Sequence, residues 1–199
     1  MQSNAQKQQN WWQSLNPDWQ RAFNEVFLKS ENNTDMPPAD TLELIWTAPA
    51  LRFAGPSAPY PNMSFELSDI SGLLGLKQLQ IVVVIHQQLS DLSGIAVLKN
   101  LKSLFVLNNR ISSLDDLESL VQLEELYCQN NFIRSLLPLH NLTKLRTLYC
   151  SDNQLTNLEG IGEQHAAALE KFICLPNKGI PHPDIVRFEL SVGVRCQRG

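Results

Sequence analysis

No run of this sequence approaches the ~20 consecutive apolar residues that a helix needs to cross a bilayer. The polar Gln/Asn-rich start also lacks the basic stretch and apolar middle of a secretory signal. The expected location is therefore cytoplasmic, where the N-x-S/T triplets starting at Asn32, Asn62 and Asn141 carry no meaning. Charge is sparse as well: 16 Lys+Arg against 20 Asp+Glu give a net −4. Without a basic excess, neither nucleic acid nor an acidic membrane surface is an expected partner. Glycine-rich phosphate loops, H-E-x-x-H helices and nucleophile elbows are missing too. The sequence does have apolar side chains, 43% of the residues, enough to build one sizeable core in a chain of 199 residues.

Those apolar residues repeat. Leu79, Leu101, Leu123 and Leu145 stand 22 residues apart and open the phrases LQIVVVIHQQL, LKSLFVLNNRI, LEELYCQNNFI and LRTLYCSDNQL. All fit L-x-x-L-x-L-x-x-N-x-L, with Gln87 replacing the first Asn. A fifth copy starts at Leu169, 24 residues after Leu145, so the segment 162–168 holds a two-residue insertion. An earlier, degenerate copy survives in Leu67, Ile70, Leu73 and Leu76. Early in each phrase, pairs such as Leu104 and Val106 alternate with outward positions, the period of a strand with one buried face. After the Asn the spacing becomes three, as in Ile111, Leu114, Leu117 and Leu120, which suits 3₁₀ or extended turns. Asn109, Asn131, Asn153 and Asn177 stand where the chain leaves each strand, and their amides are expected to satisfy the irregular backbone there.

The phrases resemble leucine-rich repeats of the 22-residue class found in internalins and in cytosolic repeat proteins, over about 67–180. The tryptophan-rich segment ahead of short repeats looks like bacterial members. The resemblance implies an α/β fold: a leucine-rich-repeat solenoid with a curved parallel sheet on the concave face, 3₁₀ or extended turns on the convex face and a helical N-terminal cap. It also implies a non-enzymatic protein–protein interaction module without cofactors. A secreted or surface recognition protein of the internalin kind is the alternative. A catalytic domain would require a cluster of ionisable residues that the sequence does not show.

A stack of repeats exposes apolar ends, so capped ends are expected. Over residues 1–66, Asn16-Pro17 predicts the start of a capping helix at about 17–29, with Trp19, Ala22, Phe23, Val26 and Phe27 on one face and Trp11, Trp12 and Leu15 before it. The proline-punctuated segment 36–61 reads as extended chain with one or two short strands, leading into the degenerate first repeat. Residues 181–199 form the other cap. There His182-Pro183-Asp184 predicts a short helix followed by a strand ending near Cys196, while a continuous strand also fits Val186, Phe188, Leu190, Val192 and Val194. Cys128, Cys150 and Cys174 share the inward strand position and are expected to be reduced core residues, leaving Cys196 as the exposed thiol. No metal site is expected among them.

The outward strand positions form three columns: Val83, Phe105, Tyr127, Tyr149 and Ile173 in the centre; Ile85, Leu107, Gln129, Ser151 and Leu175 on one side; Ile81, Ser103, Glu125, Thr147 and Lys171 on the other. An apolar and aromatic column on a solvent face is the expected partner site, with Val83, Phe105, Leu107, Tyr127, Gln129, Tyr149, Ser151 and Ile173 as its candidate residues. His86, Asn108, Asn130 and Asp152, with Arg110 and Phe132, would form its polar rim. Two alternatives stand beside this reading. The column can be a cross-strand ladder that only stabilises the sheet, or the N-terminal segment can cover Ile81, Val83 and Ile85. The partner is a protein of unknown identity, and the same column would allow self-association.

Overall fold

The computed structural model describes residues 3–199. Three helices open the chain: α1 (Asn4–Ser14), α2 (Pro17–Leu28) and α3 (Ala39–Thr47). Seven strands follow: β1 (Ala50–Ala54), β2 (Ile81–Ile85), β3 (Ser103–Phe105), β4 (Glu125–Tyr127), β5 (Thr147–Tyr149), β6 (Lys171–Leu175) and β7 (Gln197–Arg198). They form one parallel sheet in sequence order. Between β6 and β7 lies α5 (His182–Val192), and a single helical turn, α4 (Glu163–Ala166), occupies the insertion before β6. The convex turns are 3₁₀ at Ser71–Leu73, Ile95–Val97, Asp115–Leu117 and Leu137–Leu139, as the period of three predicts. The fold is an α/β leucine-patterned solenoid with a helical N-terminal cap.

The Asn ladder explains how so irregular a backbone stays folded. Asn131 Nδ2 donates to the carbonyls of Val106 (2.9 Å) and Cys128 (3.1 Å), and its Oδ1 accepts from Ile111 N–H (2.9 Å). Asn109 and Asn153 repeat the pattern one turn away on either side. Gln87 does the same work with one more methylene, accepting from Leu67 N–H at 2.5 Å and donating to Phe53 O at 3.4 Å. The turn also carries a run of left-handed residues. His86, Asn108, Asn130 and Asp152, each three positions upstream of the phrase's closing apolar residue, all have φ of 52–55°. Asn, Asp and His are the non-glycine residues that tolerate this left-handed backbone best.

The ends differ in part from expectation. The helix expected at about 17–29 is α2, capped by Asn16 Oδ1 accepting from Trp19 N–H at 2.9 Å. A second helix, α1, precedes it, with only Gln8, Trp11 and Trp12 buried. The segment expected to be extended around Leu42 to Trp46 is α3 instead: Pro38 is its N-cap, and Leu42 and Ile45 turn inward one helical turn apart. One short strand of the kind expected within 36–61 is present as β1, and it extends the sheet by pairing with β2. Trp19 and Phe23 pack edge-on against Phe53 at 5.0 and 5.3 Å, sealing the first turn, and Trp19 Nε1 donates to Asp69 at 3.0 Å. At the other end a helix is followed by a strand rather than one continuous strand, but the strand is only Gln197–Arg198 and lies just beyond Cys196 instead of leading up to it. Phe188 of α5 rests on Phe172 at 5.7 Å.

Cys128, Cys150 and Cys174 are buried free thiols. Burial pushes the Cys128 thiol up to about 12 and Cys150 well above its ordinary value. Cys196, expected to be exposed, is half-buried, and its contact with Cys174 together with burial raises the Cys174 thiol strongly.

His165 on α4 is the one fully buried histidine. Its Nδ1 accepts from Gly162 N–H at 3.3 Å, so Nε2 carries the proton and donates to Leu139 O at 3.1 Å. Burial lowers its pKa, the Leu139 hydrogen bond opposing only in part. The unfolded chain therefore binds the extra proton first, and stability is lost as pH falls from about 6.5 toward the lowered folded value. Melting temperatures measured from pH 7.5 to 5 should drop on the acid side in the wild type and flatten in a His165→Gln variant. Parallel curves for the two would refute this assignment.

Candidate interaction surface

Strand registry builds the site. Val83, Phe105, Tyr127, Tyr149 and Ile173 are consecutive Cα partners across β2–β6, and adjacent strands lie about 4.8 Å apart. At that spacing, aromatic side chains on one face must stack. Phe105 and Tyr127 do so at 4.5 Å and 14°, Tyr127 and Tyr149 at 4.6 Å and 21°. The ring faces cover one another, so the half-buried column offers solvent its ring edges and the two tyrosine hydroxyls. Lys171 closes the stack, with Nζ 5.7 Å from the centre of the Tyr149 ring. A hydrogen bond to Tyr149 raises the Lys171 ammonium pKa, and burial followed by the Glu125 charge raises the Tyr127 phenol.

The flanking columns are less open than the sequence suggests. Ile81 is exposed and Val83, Ile85, Leu107 and Gln129 are half-buried, so the N-terminal segment does not cover the start of the face. Ser103 is buried and donates to Glu125 Oε2 at 2.6 Å. At the far end Ile173 and Ser151 are buried as well, at 6% and 3% exposure. The C-terminal strand causes this: Gly199 N–H donates to Leu175 O at 2.9 Å, and the glycine lies so close that a Cβ there would meet Ile173 Cγ2 at 2.9 Å and Ser151 Oγ at 3.0 Å. Those two candidate residues are therefore shielded, and the accessible column runs from Val83 to Tyr149.

Along the strand-end rim, Asn130 donates to Asn108, and Asn108 Nδ2 approaches His86 Nε2 at 2.9 Å. His86 Nδ1 lies 3.3 Å from Ser57 Oγ. Ser57 Oγ, the His86 ring and the Asn108 and Asn130 amides thus form one polar chain along the rim, with donor and acceptor roles at the ring set by its tautomer. A groove of about 540 Å³ between Asn130 and Lys178 lies along the same rim, beside the exposed ring of Phe132. Along the opposite rim, Lys102 pairs with Glu124 at 3.8 Å and Arg146 with Glu170 at 2.6 Å. Among the described residues, no group of three or more His, Cys, Asp or Glu is placed to hold a metal ion, and no helix is long and apolar enough to cross a membrane.

Two overlapping stretches of the chain, residues 99–141 and 121–163, match the family model described as leucine rich repeats in two copies. These are leucine-rich repeats. The same repeat stack is seen in solved structures of an internalin (inlF) from Listeria monocytogenes (25% identity over 60% of this chain and 34% of that one, TM-score 0.53) and an internalin C2 from the same organism (22% identity, 79% and 83%, TM-score 0.52). It is also seen in the leucine-rich-repeat ectodomain of the receptor kinase SOBIR1 from Arabidopsis thaliana (24% identity, 61% and 70%, TM-score 0.53). The chain thus spans about a third of the length of that first internalin. No curated protein matches the sequence. The leucine-rich-repeat fold is typical of protein–protein interaction modules, and proteins built from it are generally non-catalytic.

Proposed function

We propose that this leucine-rich-repeat protein binds a partner protein on its concave sheet, through Val83, Phe105, Tyr127 and Tyr149 with Leu107 and Gln129 beside them. The observation that carries this reading is the stacked aromatic column itself. A sheet stabilised by its inward leucines needs no aromatic ladder on the solvent side, and exposed aromatic edges with hydroxyls combine apolar area with hydrogen-bonding capacity, the pairing enriched at interface hot spots. A purely structural ladder is the competing account, and magnitudes separate the two. Each stacked pair contributes roughly 0.5–1.5 kcal/mol, so losing both costs about 1–3 kcal/mol and leaves a chain of this size folded.

The test is affinity capture from a lysate of the source organism. It compares the wild-type protein with a Phe105→Ala, Tyr127→Ala, Tyr149→Ala variant shown to be folded by circular dichroism and melting. We expect a protein retained by the wild type and lost from the folded variant. Equal retention by both would place the interface elsewhere.

A further inference from the structure

The column is apolar along its length and cationic at both ends. On β1, Arg52 is the Cα partner of Val83, which adds an exposed guanidinium to the column's start. At the other end, the exposed Lys171 ammonium lies over the Tyr149 ring. Neither cation has a carboxylate partner: the four ion pairs among the described residues involve Arg21, Lys102, Arg146 and Arg187. Arg52 donates only to the Tyr60 carbonyl, which leaves its charge uncompensated. Across the outward positions of β1–β6 the single acid is Glu125, already engaged by the Ser103 hydroxyl. The neighbouring rim adds no net charge, because its lysine and arginine are paired with Glu124 and Glu170. This face is thus locally positive on a chain whose net charge is −4.

We propose, building on the concave-face reading, that the partner contributes a protein segment that is apolar in its middle and acidic at both ends. The reason is desolvation. A segment covering the aromatic column also lies over Arg52 and Lys171, and an apolar or basic segment would strip water from both cations without replacing it. Carboxylates at those two points form charge-assisted hydrogen bonds and steer the encounter. The spacing follows from the sheet. Five inter-strand steps of about 4.8 Å place the cations on the order of 24 Å apart, a span of about 7 extended residues or about 16 helical ones. A single-stranded nucleic acid is also acidic, but it binds such faces by stacking bases on open rings. Here the rings already stack on each other, which leaves only edges.

The test is a phage-displayed library of random 16-residue peptides, panned on the full chain. We expect recovered peptides to carry an apolar centre with Asp or Glu enriched toward both ends. A synthetic peptide of that kind should bind roughly tenfold or more weakly to an Arg52→Gln, Lys171→Gln variant, and more weakly still in high salt. It should lose binding to the folded triple-alanine variant. Recovered peptides without acidic ends, bound equally by the Arg52→Gln, Lys171→Gln variant but lost from the triple-alanine variant, would overturn the charge rule and leave the concave site standing. Peptides retained by the triple-alanine variant would overturn both, and a library yielding no binder would overturn the linear-segment proposal.

Discussion

An Asn131→Ala chain is expected to melt about 6–12 °C below the wild type, although the substitution removes only an amide from a turn. The size of the effect follows from what the amide holds. Two of its carbonyl partners are shared: Val106 O also receives Asn109 Nδ2 at 3.0 Å, and Cys128 O also receives Asn153 Nδ2 at 3.0 Å. Those carbonyls keep one donor each. Ile111 N–H has no such reserve, because Asn131 Oδ1 is its side-chain acceptor in a buried turn. An orphaned buried donor costs about 1–3 kcal/mol, and the lost bonds about 1 kcal/mol apiece. A total of about 3 kcal/mol, at roughly 2–4 °C per kcal/mol in a domain of this size, gives that drop. Asn131→Asp sharpens the test. The carboxylate would still accept from Ile111 N–H but would face two carbonyls it cannot donate to, so its pKa would be raised in the folded state. The aspartate variant should therefore be less stable than the alanine variant at pH 7 and regain stability as pH falls, the sign expected when the folded state binds the extra proton. Thermal melts of both variants at pH 7 and 5 check this. A drop within 2–3 °C for Asn131→Ala would mean that water replaces the amide and the ladder contributes little.

That ladder was legible in the sequence because each Asn falls at one phase of a fixed period, and periodicity survives without any knowledge of contacts. The concave columns were legible for the same reason: alternation alone assigns Phe105, Tyr127 and Tyr149 to one face and Leu104, Leu126 and Leu148 to the other. Sequence reasoning failed where non-periodic chain meets the solenoid. In α1 the buried residues Gln8, Trp11 and Trp12 are few, and the rest of its surface is polar, so no apolar stripe announces a helix. In α3, prolines on both sides imitate extended chain, although Pro38 begins the helix. Arg52 was missed as part of the site because β1 lacks the leucine phrase, and its registry with Val83 is a tertiary fact. Ser151 and Ile173 kept the right phase yet lost their exposure to a glycine 26 residues beyond Ile173. The left-handed residues His86, Asn108, Asn130 and Asp152 did carry a signal. One residue class recurs at one phase, and only its tolerance of positive φ links a histidine to an aspartate.

Gly160→Ala is expected to lower the melting temperature by about 10 °C although it adds a single methyl group. Two penalties combine there. The backbone has φ of +107°, outside what an L side chain adopts readily. The glycine also lies against the preceding repeat, where an added Cβ would stand 2.0 Å from Leu136 O, 2.2 Å from Leu136 C and 2.6 Å from Leu137 N. Those atoms belong to backbone at the start of the Leu137–Leu139 turn, so no side-chain rotation relieves the clash. Neighbouring repeats would have to separate, which loosens the packing of Leu136 and Leu158 between them. Overpacking of this kind costs about 1–3 kcal/mol and sometimes more, and backbone strain adds about 1 kcal/mol. Gly193 supplies the internal control: its φ is +76°, but nothing stands within 4 Å of the position its Cβ would take. A Gly193→Ala variant therefore bears the conformational strain alone and should lose only a few degrees. The difference between the two melting temperatures measures the inter-repeat clash. If both variants fall by the same small amount, the contact between Gly160 and the Leu136 carbonyl is not the tight junction described here, and the two-residue insertion that follows it is freer to move than its packing indicates.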